Sequence, residues 1–469
     1  MKKLFYLMLA AGLAAILSGF SVFAQGTATG QMSKAAAAGN WQVAGNGGFS
    51  AGDALGVSLA FHPSGQPCVA FCDRAALNLH LMALSGTDWS EVGQINPSVT
   101  GYFPSLAFDP AGTPMVGFRQ VTGSTGKASL LHFNGTSWEF TGNSLFSAGE
   151  VFHTSLAVNT AGTPFIVYQD VASNSKGTVM KFDGNAWVNA GLPGFTPGFA
   201  RNPVIAIDPA GNPWVAFGSD QSGSMGRATV MKLNGSVWEL VGIAGFSAGV
   251  MDSISLAFSP AGDPWVAYAD GANGWRATVM RFDGSGWVNA GSPGFSAGAA
   301  GWTSLGFSQG GQAIVAFQDA ANGYMASAMI FDGTTWIYLG TPGFTPGACA
   351  QTTLRISQSG QPWVAFTDES NSGRVTVMMY DGPMGTGEIR NPGIYVYPNP
   401  VGSLLSVTVE NSGGRPDHFD ILDIIGNTVM SADFSGKEIR QHVENLAPGI
   451  YFIKISGLQS LFTARFIKR

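Results

Sequence analysis

Ser255-Leu-Ala-Phe-Ser-Pro-Ala-Gly-Asp-Pro-Trp-Val-Ala-Tyr-Ala-Asp270, then Ala277-Thr-Val-Met-Arg-Phe-Asp-Gly284, then Trp287-Val-Asn-Ala-Gly291, is the stretch whose reading decides the fold. It contains four short apolar runs. Pro-x-Gly-x-Pro separates the first two, and Asp-Gly separates the last two. Both are hairpin signals, because Pro presets φ and Gly reaches positive φ without steric cost. The run Trp265-Val-Ala-Tyr268 is apolar at every position. A sheet with one wet face would alternate, so continuous apolarity predicts a sheet covered on both sides. A propeller blade sandwiched between neighbours meets that condition.

Outward from this unit the pattern repeats. Trp41, Trp89, Trp138, Trp187, Trp238, Trp287 and Trp336 lie 48, 49, 49, 51, 49 and 49 residues apart. A fixed period of this length marks a propeller or a solenoid. The seventh unit ends at Tyr380-Asp-Gly382 without its Trp strand, while the repeat region begins with an orphan copy, Trp41-Gln-Val-Ala-Gly45. The orphan strand completes the seventh unit and removes the open sheet edges. A solenoid would need polar caps instead. The expectation is an all-β chain, with a seven-bladed β-propeller of four-stranded blades over 41–382, closed by its N-terminal strand.

The flanks read differently. Residues 1–24 have the form of a secretory signal: Lys2 and Lys3, the apolar Leu4 to Leu17, and small residues up to Ala24, which places Gln25 at the mature N-terminus. Residues 25–40 read as a flexible lead-in and 383–393 as a linker. No later apolar run reaches the ~18 residues of a spanning helix, so no transmembrane helix is expected after signal removal. Over 394–469, Leu405-Ser-Val-Thr-Val409, Phe419-Asp-Ile-Leu-Asp-Ile-Ile-Gly426 and Ile450-Tyr-Phe-Ile-Lys-Ile455 predict a small β-sandwich. The ordered motifs Tyr397-Pro-Asn-Pro400, Asp423-Ile-Ile-Gly426, Leu446-Ala-Pro-Gly-Ile-Tyr451 and the Lys468-Arg469 end make this segment closely resemble the C-terminal sorting domain of the type IX secretion system of Bacteroidota. The resemblance implies the secretion machinery as a partner and passage through the periplasm. The protein would then be released or attached at the outer-membrane surface.

Composition excludes some functions. The net charge is −6, charged residues are 11% and no basic block stands out, so no nucleic-acid partner is expected. Cys68, Cys72 and Cys349 make no disulfide framework and read as small buried hydrophobes. His62, His80, His132 and His153 are spread along the repeats without ligand spacing, and His132 reads as solvated. No metal or cofactor is expected. Glycoside hydrolysis needs two carboxylates across one cleft. Glu91, Glu139, Glu150, Glu239 and Glu369 are scattered, and the Asp residues sit at repeated turns. No catalytic residue is assigned. Turns such as Asp332-Gly-Thr-Thr-Trp336 resemble the Asp-box of sialidase propellers imperfectly, because Asp and Gly touch here. They read as hairpin turns, and sialidase activity is not carried over.

Antiparallel order sorts the loops onto two faces. One carries the Pro-x-Gly-x-Pro and Asp-Gly turns. The other carries Gly-Phe-Ser/Thr-Ala/Pro-Gly loops, such as Gly245 to Gly249, and loops opening with Asp170, Asp220, Asp270, Asp319 or Asp368. These end near Lys176, Arg227, Arg276 or Arg374, with Met325 in the sixth unit. Asp270, Asp319, Arg276 and Arg374 are candidates to hydrogen-bond a glycan, and Trp275 and Tyr324 to stack on its sugar faces. The plainer readings are a cross-strand Asp–Arg ion pair, an Asp turn cap, and a Phe that plugs between blades. The leading expectation is a secreted binding or adhesion protein with a glycan or surface-protein ligand. The rivals are an extracellular polysaccharide-active enzyme and a structural surface or matrix protein.

Overall fold

The computed structural model describes residues 39–220, 226–382, 394–397, 401–409, 418–423, 427–433, 438–456 and 462–468. The signal segment with Ala24 and Gln25, most of the lead-in and the linker lie outside the described residues.

Seven four-stranded antiparallel sheets follow one another. Blades 1 to 6 run Ala54–Glu91, Gly101–Phe140, Val151–Asn189, Phe199–Leu240, Met251–Asn289 and Ala300–Tyr338, each in simple meander order. Blade 7 takes three strands from Cys349–Tyr380 and its fourth from Trp41–Val43, which pairs Trp41 with Tyr380 and Val43 with Met378. The first strand of each blade packs against the first strand of the next, and that of blade 7 returns to blade 1. The seven first strands therefore surround an axis, the Trp strands lie outermost, and the ring is closed by the N-terminal strand.

The repeated residues are explained by contacts between blades. Each Trp donates its indole N–H to a carbonyl three residues past the Trp of the preceding blade. Trp89 reaches Ala44 at 2.8 Å, Trp238 reaches Ala190 at 2.7 Å, and Trp41 reaches Leu339 at 2.8 Å across the closure. The Gly that follows this carbonyl has positive φ, as Gly191 does at +82°, and a Cβ there would stand 2.7 Å from the Trp238 ring. Only glycine fits both conditions. The Phe of each Gly-Phe-Ser/Thr loop, and Phe146 of the equivalent Leu145-Phe-Ser loop, stacks flat on the next blade's Trp, with centroids 3.9 Å apart for Phe146–Trp187 and 4.1 Å for Phe344–Trp41. In the Trp89 unit Pro97 stands eight residues on, where the other units have Phe, and Trp138 has no such stack. The following Ser or Thr is buried. Ser296 Oγ accepts from Ala277 N–H at 2.9 Å and donates to the Gly298 carbonyl at 2.7 Å. These loops are inter-blade clips.

The Ser-Leu-Ala-Phe strand is equally specific. Ser58, Ser105, Ser155, Ser255 and Ser304 each accept the N–H of the next blade's inner strand, at 2.9 to 3.3 Å. The Asp-Gly turns are self-capped: Asp283 Oδ1 accepts from Ser285 N–H and Gly286 N–H, which holds its carboxyl down at about 2. The three cysteines are buried and free, and burial pushes each thiol up to about 12.

At the C-terminal end a three-stranded sheet (Ile394–Tyr397, Leu404–Val409, Glu438–His442) and a four-stranded sheet (His418–Leu422, Thr428–Asp433, Gly449–Ser456, Phe462–Lys468) share one apolar core. Val396, Leu405 and Val407 of the first meet Phe419, Ile453 and Phe466 of the second, which makes a β-sandwich.

Candidate binding face at the axis

The upper face is the one that carries the Gly-Phe clips and the Asp loops, and the inner strands begin there. Each inner strand breaks its pairing register just below that face, between Leu55 and Ser58 in blade 1, Phe152 and Ser155 in blade 3, and Gly301 and Ser304 in blade 6. The same break occurs in the other four blades. Each bulge holds one residue in the left-handed region: Gly56, Phe103, His153, Asn202, Ser253, Trp302 and Gln351, with φ from +46° to +65°. Six of these seven are not glycine. An L side chain there costs roughly 1–2 kcal/mol, and such strain concentrates at functional sites.

This ring is where the repeat fails. The bulge residue and the one before it read Leu-Gly, Tyr-Phe, Phe-His, Arg-Asn, Asp-Ser, Gly-Trp and Ala-Gln around the blades, whereas the triplet that starts two residues after the bulge is Ser-Leu-Ala in blades 1, 2, 3 and 5 and Val-Ile-Ala, Ser-Leu-Gly and Thr-Leu-Arg in blades 4, 6 and 7. The chemistry is mixed. Arg119 of blade 2 is buried, donates from Nε to the Val151 carbonyl at 2.7 Å, and pairs through Nη2 with Glu150 at 2.6 Å. Its guanidinium lies 5.7 Å from the Tyr102 ring centroid and 5.0 Å from that of Phe152. His153 packs on Phe103 at 4.8 Å. It retains some exposure yet is enclosed by protein, and burial, with nearby Arg201 adding to it, lowers its pKa to about 4. It is a neutral donor–acceptor at neutral pH. Asp252 Oδ1 accepts from Asn202 Nδ2 at 2.9 Å and from Ser253 N–H at 2.8 Å. Trp302 is 47% exposed although it lies on an inner strand. Of these fourteen positions only Asp252 carries a carboxylate.

The candidates from sequence separate into two groups. Asp170, Asp270, Asp319 and Asp368 are buried and cap short 3-10 turns. Asp270 Oδ1 accepts from Ala272 N–H at 3.0 Å, and Oδ2 accepts from Asn273 at 2.8 Å and Thr278 at 3.1 Å. Asp319 is held alike by Ala321, Asn322 and Ser327. Asp270 and Arg276 are register partners, but no ion pair joins them among the described residues. The carboxylates turn inward because the cap offers three donors. Arg276 and Arg374 are exposed.

Trp275 and Tyr324 keep surface on the upper face: Trp275 is half-buried and Tyr324 is 47% exposed. Both have φ of +62°, at a position where blades 3 and 7 place Ser175 and Gly373. Each reaches the next blade through its backbone. The Trp275 carbonyl accepts from Ala300 N–H at 2.8 Å and that of Tyr324 from Cys349 N–H at 3.0 Å. Trp275 is thereby anchored two residues from Trp302, and Tyr324 two residues from Gln351. The loop 221–225 of blade 4 lies outside the described residues. His132 is half-buried and keeps part of its surface in solvent, with Nδ1 3.0 Å from Thr141 Oγ1.

The lower face offers a hollow of about 300 Å³ lined by Ala60, Phe61, Phe108, Val158 and adjoining turns. Its polar groups are used within the turns: Asp109 accepts from Thr113 N–H, and Asn159 from Ala161 and Thr163 N–H. The sequence read one half of the upper face, its loops, and missed the bulge ring. The signal was available, since these two adjacent columns share no chemistry from blade to blade while the hairpin turns and Trp strands of the repeat recur.

Residues 395–469 match the secretion system C-terminal sorting domain. The chain is therefore one sorted by the type IX machinery to the cell surface or the medium. No curated protein matches the sequence. Among solved structures, a protein of unknown function from Dyadobacter fermentans is similar at 13% identity and TM-score 0.44, over 62% of this chain and 97% of its own. An α-L-arabinanase of Penicillium chrysogenum complexed with arabinobiose is similar at 12% and 0.42, over 73% and 97%. An ulvan lyase, a polysaccharide lyase, is similar at 10% and 0.44, over 72% and 94%. No helix of the described residues is long and apolar enough to cross a membrane.

Proposed function

We propose that this protein is a secreted or surface-displayed binding module that holds a glycan at the upper mouth of its propeller axis. One observation carries the reading: seven equivalent left-handed positions, six of them occupied by strained non-glycine side chains, in the two columns where the repeat breaks. Folding alone asks only for glycine there, as Gly56 illustrates. The occupants are aromatic and hydrogen-bonding groups, the mixture that sugar rings and hydroxyls engage. Trp302, Trp275 and Tyr324 supply apolar faces in blades 5 and 6, and His153, Asn202 and Asp252 supply polar groups in blades 3 to 5. Arg276 and Arg374 flank them from the loops. Hydrolysis is the weaker reading, because the ring holds a single carboxylate and the neighbouring Glu150 is tied to Arg119.

The test is a broad glycan array with the mature full-length protein and the variants Trp302→Gly and Trp275→Ala/Tyr324→Ala. Trp302→Gly relieves strain, so its melting temperature should hold or rise while binding falls at least tenfold. Binding unchanged in both variants, or no glycan bound by the parent, would defeat the proposal.

A further inference from the structure

The upper-face ring is not uniform. The residue before the bulge is Leu55, Tyr102, Phe152, Arg201 and Asp252 in blades 1 to 5, and drops to Gly301 and Ala350 in blades 6 and 7. Aromatic side chains divide the same way. Over blades 2 and 3 they pack on one another: Tyr102 lies 6.2 Å from Phe103, Phe103 lies 4.8 Å from His153, and the Arg119 guanidinium sits against both Tyr102 and Phe152. Over blades 5 and 6, Trp275, Trp302 and Tyr324 make no ring contact among the described residues.

Their polar ends are free as well. The seven repeat tryptophans all donate the indole N–H to a carbonyl. The indole N–H of Trp275 and Trp302 and the hydroxyl of Tyr324 have no partner among the described residues. All three residues are held at positive φ, from +52° to +62°. An L side chain there costs roughly 1–2 kcal/mol. No ring stack or side-chain hydrogen bond within the protein offsets that cost, which leaves a ligand to use these faces.

The three rings are spread in radius. Trp302 stands on the inner strand Ala300–Phe307, whereas Trp275 and Tyr324 immediately precede the third strands Arg276–Phe282 and Met325–Phe331. Two strand spacings, about 10 Å, separate first and third strands. One sugar ring cannot cover Trp302 and Tyr324 together, but consecutive rings of a chain can. Gln318 of the middle strand lies between them in register, opposite Gly301 on one side and Ala326 on the other. Its Nε2 donates to the Cys349 carbonyl, and its Oε1 lies 3.0 Å from where a Cβ of residue 301 would stand. Glycine at 301 thus leaves room for an acceptor that no donor among the described residues engages.

We propose that the upper face holds the interior of a linear polysaccharide, laid across blade 6 from Trp302 near the axis outward to Tyr324, with Trp275 beside it. The inference rests on the glycan reading of this face and names the class of glycan. A site for a chain end or a single sugar would be enclosed on all sides. Here Gly301 and Ala350 leave the ring open, so the chain runs on. Separate aromatic faces with a hydrogen-bond acceptor between them match sugar rings, which are apolar on their faces and polar at their rims.

The full-length protein is titrated calorimetrically with cello-, xylo-, manno- and chito-oligosaccharides of one to eight residues. In a series that binds, affinity should rise at least tenfold from disaccharide to hexasaccharide and then level off. Tyr324→Ala should remove that gain and leave the disaccharide unchanged, while Trp302→Gly should lose every length. Gly301→Leu, which gives blade 6 the residue of blade 1, should also remove the gain. Tyr324→Ala and Gly301→Leu should melt within about 2 °C of the parent, which separates lost contact from lost fold. Equal affinity for disaccharide and hexasaccharide, or a gain that persists in both variants, would overturn the chain and leave the glycan reading standing. No binding in any series would overturn both.

Discussion

Replacing Trp41 by Ala tests whether the N-terminal strand holds the ring shut. The Trp41 side chain is 7% exposed, its indole donates to Leu339 of blade 6, and its ring stacks on Phe344 at 4.1 Å and meets Tyr380 at 5.6 Å. Removing a buried Trp costs roughly 3–5 kcal/mol, and the abandoned Leu339 carbonyl places the value in the upper half of that range. For a propeller of this length about 4 kcal/mol corresponds to a fall of roughly 5–6 °C. Trp41→Phe keeps the stack and loses the hydrogen bond, so about 1–2 kcal/mol is expected. The repeat supplies an internal control: Trp138 donates equivalently to Val92 but lacks the stacked Phe. Trp138→Ala should therefore be milder by about 0.5–1.5 kcal/mol, and a Trp41/Phe344 double-mutant cycle should return a coupling of that size. Calorimetry and far-UV circular dichroism read the melts without depending on the removed fluorophore. Limited proteolysis should free the N-terminal strand in Trp41→Ala alone. A Trp41→Ala protein that melts within a degree of the parent would refute the closure argument, whatever the fold of the remaining blades.

Acid should act through His153. Its pKa falls from 6.5 to about 4 on folding, so the unfolded chain binds more protons between those values. The stability it contributes is complete above pH 6.5 and is lost as pH falls toward 4, by roughly 3 kcal/mol. Urea midpoints against pH should flatten in this window in His153→Asn, which also tolerates positive φ; identical profiles would count against the assignment. His418 behaves oppositely. Asp433, its partner 2.5 Å away, raises its pKa first of all, so its contribution is present at low pH and fades as pH rises through the elevated value. An imidazole titration followed by NMR should return to the ordinary value in Asp433→Asn. Finally, Asp270→Asn turns an amide donor toward donors and should cost about 2 kcal/mol, while exposed Arg276→Ala should stay within about 0.5 kcal/mol. Comparable losses from both would favour an ion pair over the cap.

The propeller was legible because its information is periodic. Trp, Gly, Ser-Leu-Ala and the hairpin turns recur because every blade meets the same neighbour in the same way, and seven copies make the pattern unmistakable. The strand count and the missing Trp strand even indicated where the ring closes. The sorting domain was legible for a related reason, a set of motifs in fixed order. The loops were read less well. Asp270 and Arg276 stand opposite each other in register, which suggested an ion pair or a ligand site. The carboxylate instead finds Ala272, Asn273 and Thr278 within its own hairpin. Local donors win because they are already ordered, whereas an exposed Arg side chain must lose rotamer freedom to reach in.

The sequence by itself determined the architecture: repeat length, strand order, closure and the export address all follow from patterns local to each unit. Only the tertiary structure decided where the seven copies converge. Phe103, His153, Asn202, Ser253 and Trp302 follow one another about fifty residues apart along the chain and are unrelated in chemistry, so no linear motif connects them. Ring closure places each inner strand beside the next, and the shared bulge turns every one of these side chains left-handed at the same height on the axis.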